Sequence, residues 1–288
     1  MPRALVLRAA GTNCDQEMLR AFEGAGARAD LLHLDALIND PARCDDYDLF
    51  GFPGGFSFGD DIASGRIFAM KVRERLYPAL RCALQRGCPM IGACNGFQVL
   101  VQVGLLPGPT QPLSPSATSA LPHWPATPPP QTVALADNQD ARFHDRWVPV
   151  TYEPASVCVW TKGLGDAFSE DEHHHAFQLP VAHGEGRFVA SSQSVLRDLD
   201  AHGQVALRYT DNYNGSQNAI AGICDASGLV LGLMPHPERF LNWNRHPWWT
   251  RLPESLRSKE TPGAIMFRNA VEAAASPRAQ PVRLHAIR

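Results

Sequence analysis

The chain has 288 residues, of which 44% are hydrophobic and 19% charged, and its formal net charge is −3. That length suits one large core or a core with a small appendage, and a weak negative charge without a long basic run gives no hold on nucleic acid or an anionic membrane. No stretch reaches the roughly 18 apolar residues of a membrane span, and the first apolar run is too short for a signal peptide before Arg8 breaks it.

In chain order, Ala4 to Arg8 reads as a short buried strand, followed by a helix from Asp15 to about Ala25. Ala29 to Leu34 and Asp48 to Phe52 read as further strands. Apolar residues at three- and four-residue spacing predict one long amphipathic helix over Ile67 to Gln85. Pro89 to Ala93 is another buried strand, and Phe97 to Val103 another helix. Strands alternating with helices imply crossover units, and so an α/β fold: a doubly wound, mostly parallel sheet with helices on both faces.

Between residues 107 and 130, nine of 24 positions are proline, which predicts an exposed loop or a partly disordered insertion. Strand-like pieces return at Val148 to Tyr152, Val157 to Trp160, Val205 to Tyr209 and Leu229 to Met234. A helix is expected from Ala264 to Ala275. One domain over 1–275 and a loose tail over 276–288 complete the reading.

The seven cysteines (Cys14, Cys44, Cys82, Cys88, Cys94, Cys158 and Cys224) form no C-x-x-C pair, which argues for buried reduced thiols rather than a disulfide framework or a zinc site. Three adjacent histidines, His173 to His175, cannot all face one ion in regular structure, so a solvated loop and no metal site are expected there.

Cys94 differs from the other six. Gly92 and Gly96 flank it as G-x-C-x-G between an apolar strand and a helix, the thiol counterpart of a nucleophile elbow. The glycines allow a sharp turn, and the helix N-terminus behind it favours thiolate. A thiol acting in acyl transfer also needs a base and an oxyanion hole. His236 and Glu238 lie two apart in Met-Pro-His-Pro-Glu-Arg (234–239), so in an extended segment they project to one side, and the carboxylate can fix the imidazole tautomer. Gly54 and Gly55 follow a predicted strand, where a backbone N–H can approach a ligand; the N–H groups of Gly55 and Asn95 would make a two-donor hole.

These segments resemble the class I, triad-type glutamine amidotransferases, whose architecture is flavodoxin-like. The narrower resemblance is to the glutaminase subunits of phosphoribosylformylglycinamidine synthase. It rests on Gly-Thr-Asn-Cys-Asp (11–15), Pro-Gly-Gly-Phe-Ser-Phe-Gly-Asp (53–60), Ala-Cys-Asn-Gly-Phe-Gln (93–98), Gly-Leu-Leu-Pro-Gly (104–108), Pro-Val-Ala-His-Gly-Glu-Gly-Arg-Phe (180–188), Asn-Gly-Ser-Gln-Asn-Ala-Ile-Ala-Gly (214–222) and 234–239. It implies a triad of Cys94, His236 and Glu238, and a glutamine pocket of Gly54, Gly55, Asn95, Gln98, His183, Gly184 and Glu185. For His183 and Glu185 the residues alone read equally as a polar β-turn.

The resemblance further implies a cytoplasmic glutaminase that passes ammonia to a large synthetase subunit, with a small accessory subunit. ATP and magnesium belong on that synthetase, since this chain has no G-x-x-x-x-G-K-[ST] loop and no cofactor is expected in it. Cys14 competes for the nucleophile role because it too follows a strand, but it lacks flanking glycines on both sides. Another Cys-dependent amidase or peptidase, or a non-catalytic regulatory relative, remain the alternatives. Tyr213, the Pro-rich insertion and the stretch after Phe240 depart from the pattern.

Overall fold

The computed structural model describes residues 1–109 and 123–276. The first part alternates as expected: β1 (Arg3–Arg8), α1 (Asp15–Gly24), β2 (Arg28–His33), α2 (Leu34–Asn39), β3 (Leu49–Phe52), α3 (Arg66–Arg75), α4 (Tyr77–Gln85), β4 (Met90–Ala93) and α5 (Asn95–Val103). There follow β5 (Val133–Asp137), β6 (His144–Tyr152), α6 (Leu164–Ala167), α7 (Glu170–Ala176), β7 (Gln178–His183), β8 (Glu185–Ala190) and α8 (Gln193–Ala201). The last elements are β9 (Val205–Tyr209), β10 (Ile220–Cys224), β11 (Val230–Leu233), α9 (Glu254–Arg257) and α10 (Pro262–Ala275).

Nine strands form one sheet in the order β2-β1-β3-β4-β11-β10-β9-β6-β7, and β5 pairs with β8 in a separate ribbon. From β2 to β11 neighbours run parallel; from β11 to β7 they run antiparallel. The central strands are apolar runs because both faces are covered. Leu5, Leu7, Phe50, Phe52 and Met90 point into one core with α3, α4 and α5. Ala4, Val6, Leu49, Ile91 and Ala93 point into the other with α1 and α10. This is the doubly wound arrangement, and it sets the carboxyl ends of β1, β3, β4 and β11 side by side.

Three expectations need correction. The helix over 67–85 is two helices, α3 and α4, because Pro78 lacks the N–H that an interior position needs and sits instead in the first turn of α4. Residues 157–160 are not a strand. Val157 and Val159 donate to Gly203 O and Gly228 O, both at 2.9 Å, and Trp160 turns inward to pack edge-on against Phe22 and Phe267. Of the Pro-rich segment, residues 110–122 lie outside the described residues; its far end exposes His123, Ala126, Thr127 and Pro130 but is anchored between them. Trp124 is fully buried, and Arg73 donates to Val103 O at 2.9 Å and Pro129 O at 3.3 Å. Residues 277–288 of the expected tail also lie outside the described residues.

Candidate active site

Strand β4 ends at Ala93 and α5 begins at Asn95, so Cys94 alone makes the turn. Its φ of 52° and ψ of −109° are a conformation that costs a non-glycine residue about 1–3 kcal/mol. The turn closes only because its neighbours have no Cβ. One on Gly92 would lie 2.5 Å from Gly96 O, and one on Gly96 would lie 1.8 Å from Phe52 O. Cys94 N–H donates to Leu233 O at 2.9 Å, which ties the elbow to β11, and its thiol faces Ala182 O at 3.6 Å.

The same strand β11 delivers His236, the expected base. His236 N–H donates to Pro180 O at 2.9 Å, and His236 Nδ1 lies 2.6 Å from Glu238 Oε1. Both side chains are buried, at 1% and 0% exposure, so the pair is shielded from bulk water. Burial disfavours the imidazolium, but the Glu238 carboxylate and hydrogen bonding with Cys14 and Cys94 outweigh it and hold His236 well above the ordinary histidine pKa. The turn carrying the pair is clamped by the start of α10, where a Cβ on Gly263 would lie 2.2 Å from Pro237 O.

Gly54 and Gly55 complete the third side. A Cβ on Gly54 would meet His236 Cε1 at 2.6 Å, and Gly55 has φ 137°. Gly55 bridges Thr12 through Phe56 N–H to Gly11 O and Asn13 N–H to Gly54 O, a pairing that leaves its own N–H outside the bridge. Asn95 is the first residue of α5, so its N–H has no intrahelical acceptor. Gly55 lines the same cavity as Cys94, and Asn95 follows it directly in the chain.

Asn95 and Gln98 use their side chains to brace this wall. Asn95 Oδ1 accepts from Ser57 at 2.6 Å, its Nδ2 donates to Asp60 and to Gln98 Oε1, and Gln98 Nε2 donates to Glu185 O at 2.6 Å. Glu185 Oε2 accepts from Ser64 N–H at 3.2 Å. His183 and Glu185 do not sit in a β-turn. His183 ends β7, Glu185 opens β8, and the chain passes through Gly184 from the main sheet to the β5–β8 ribbon. His183 is buried, with Nε2 2.7 Å from the Tyr213 hydroxyl, and burial with repulsion from His236 and His144 pushes its pKa down to about 3.

A family model of the CobB/CobQ-like glutamine amidotransferase domain matches residues 1–272. The chain belongs to that family. Among its relatives, phosphoribosylformylglycinamidine synthase subunit PurQ of Dehalococcoides mccartyi is 37% identical over 94% of this chain and 96% of its own. The subunit of the same name from Treponema denticola is 38% identical over 82% of this chain and 87% of its own. Among solved structures, PurLQS from Thermotoga maritima aligns with a TM-score of 0.64 at 30% identity, covering 94% of this chain and 98% of the matched one.

Within this amidotransferase, the spacing of motifs missed one neighbour of the site. Cys14 sits at the start of α1, accepts from Arg239 Nη2 at 3.0 Å and donates to Asn13 Oδ1 at 3.1 Å. Burial raises its pKa above the ordinary thiol value, with the imidazole of His236 and Arg239 pulling the other way. The Asn-Cys-Asp motif marked Cys14 in the sequence, but nothing local to it pointed to Arg239. Tyr213 likewise entered as a departure from the pattern, and its hydroxyl proves to be the partner of His183. The His173 to His175 run is not a loop but part of α7, and the rings of His174 and His175 lie 3.8 Å apart. His173 stacks on Phe177 and its Nε2 lies 3.0 Å from Phe168 O. All seven cysteines are buried, and no described helix is long and apolar enough to cross a membrane.

Proposed function

We propose that this amidotransferase is the glutaminase subunit of a phosphoribosylformylglycinamidine synthase. The observation that carries the reading is the strained elbow at Cys94 facing the buried His236–Glu238 pair. With Nδ1 held by Glu238, Nε2 of His236 is the nitrogen left to take the thiol proton. The Cys94 thiolate then attacks the carboxamide carbon of L-glutamine, and the N–H groups of Gly55 and Asn95 receive the oxyanion. Imidazolium at His236 protonates the departing ammonia. Water then adds to the γ-glutamyl thioester, again with His236 as base, and glutamate leaves.

Ammonia passes to a large synthetase subunit, which binds ATP and magnesium and converts formylglycinamide ribonucleotide to the amidine; a small accessory subunit completes the complex. The names of the relatives and the likeness to a chain of PurLQS support this assignment. Buried cysteines without a C-x-x-C pair fit a reducing cytoplasm. Glutamine recognition falls to the wall of Gly54, Gly55, Asn95, Gln98, His183, Gly184 and Glu185. The cavity against Cys94 and His236 has a volume of about 60 Å³, room for a few waters, and Phe56 and Phe143 stack across its rim with ring centres 6.2 Å apart. A glutamine side chain needs that rim to part, so glutamate release should be weak from the chain alone and strongly stimulated by its synthetase. Equal turnover with and without the synthetase would overturn the partner dependence. No glutamate in either case, from folded protein, would favour another Cys-dependent hydrolase or a non-catalytic relative.

A further inference from the structure

A second cavity, of about 640 Å³ against about 60 Å³ at Cys94, opens between α1, α10 and the turn that follows β11. Sites for small molecules run to roughly 300–1,000 Å³, and the glutaminase reaction makes no use of this one. Its wall holds four guanidiniums, those of Arg20, Arg239, Arg245 and Arg268. Two of them are balanced: Arg239 faces Glu17 at 3.4 Å, and Arg268 faces Glu260 at 3.0 Å. The third carboxylate in the wall, Glu238, is engaged by His236 at 2.6 Å. Arg20 and Arg245 have neither an ion pair nor a side-chain hydrogen bond among the described residues. Two positive charges therefore stand uncompensated in a concave wall, where the low dielectric of the protein focuses their field.

The remainder of the wall is suited to an organic body. Trp147 is half-buried, held by edge-on contacts with Phe240 and His246 at 4.9 and 5.5 Å between ring centres. Leu241, Ala21 and Ala25 add apolar surface. Glu238 Oε2 is buried and has no hydrogen-bond partner among the described residues, so the wall also holds an acceptor in want of a donor.

We propose that this groove binds a small-molecule phosphate monoester, with its phosphate on Arg20 and Arg245 and its organic body against Trp147. A monoester is close to dianionic at neutral pH, so one phosphate matches two uncompensated cations, where a single carboxylate matches one. Guanidinium forks hold phosphate oxygens through paired, charge-assisted N–H···O bonds. A planar body stacks on the indole, and a hydroxyl on that body donates to Glu238 Oε2. No covalent step is involved, and the site does not depend on the glutaminase reading.

The test is calorimetric titration of the full chain with adenosine 5′-monophosphate, which carries the phosphate, an aromatic ring and hydroxyls. Wild type should bind one equivalent, with adenosine and inorganic phosphate each at least about tenfold weaker. Arg20→Ala and Arg245→Ala, each checked for native circular dichroism, should weaken the monophosphate by at least about tenfold. Glu17→Gln should tighten it roughly twofold, because Arg239 then loses its counter-charge. Arg197→Ala, an exposed arginine on α8, serves as the control and should change nothing. Unchanged affinity in both folded groove variants, an equal loss in Arg197→Ala, or no binding by wild type would overturn the site. Citrate binding more tightly than the monophosphate would overturn the phosphate assignment, and ribose 5-phosphate binding as tightly would overturn the stacking on Trp147.

Discussion

Cys94 and Cys14 begin from the same local design. Each follows a parallel strand of the sheet, each stands immediately before a helix, and each is buried against His236. The surroundings then diverge. Cys94 is forced to φ 52° between two glycines and has the N–H of Asn95 beside it, whereas Cys14 sits at a relaxed φ of −96°. The wall behind Cys94 is neutral, built of Ala182 O, His183, Tyr209 and Tyr213; the wall behind Cys14 carries Arg239 and, through it, Glu17. A strand followed by a helix is thus insufficient to make a nucleophile. The strained turn, held between two glycines, separates the two thiols.

The largest expected effect breaks this comparison directly. Cys94→Ala should lower synthetase-stimulated glutamate release by at least about 10⁴-fold, while Cys14→Ala should keep turnover within about tenfold. Activity that survives the first substitution and dies with the second would exchange the roles of the two thiols.

The turns should also differ in their tolerance of a methyl group. Gly96→Ala places a Cβ against Phe52 O and should cost about 3 kcal/mol or more in urea unfolding. Gly24→Ala, in the helix that follows Cys14, meets no atom within 4 Å and should instead gain about 0.5 kcal/mol. A mild Gly96→Ala would mean that the elbow relaxes more readily than its geometry implies.

A third measurement sharpens the account of the neutral wall. Folded His183 titrates near 3, while the unfolded chain takes up that proton near the ordinary histidine value. The unfolded state therefore binds more protons across this window, so the stability contribution is intact above about pH 6.5 and is lost as pH falls towards 3, at roughly 1.4 kcal/mol per pH unit. By pH 5 wild type should have lost about 2 kcal/mol more than His183→Asn, read from urea midpoints between pH 7.5 and 5. Parallel curves for the two proteins would show that His183 accepts a proton in the native state.

Much of the site was legible because its parts are local. G-x-C-x-G announces an elbow within five residues, and His-Pro-Glu places imidazole and carboxylate on one short turn. The alternating elements announced the parallel half of the sheet, although Pro78 divides what the periodicity joined. The antiparallel half was harder to read. Strands β7 and β8 form one continuous run in sequence, and only their partners, β6 for one and β5 for the other, reveal that the chain changes sheets at Gly184.

The sequence by itself determined the elbow at Cys94, the pairing of His236 with Glu238 and the α/β class, because steric turns and side-chain periodicity act between near neighbours. Tertiary structure alone decided that Cys14 shares a cavity with Cys94, that Arg239 reaches across 225 positions to Cys14, and that Gln98 braces the chain at Glu185. Those contacts depend on how separate strands are ordered in the sheet. That order follows from burying both faces of the sheet at once, a condition no local spacing records.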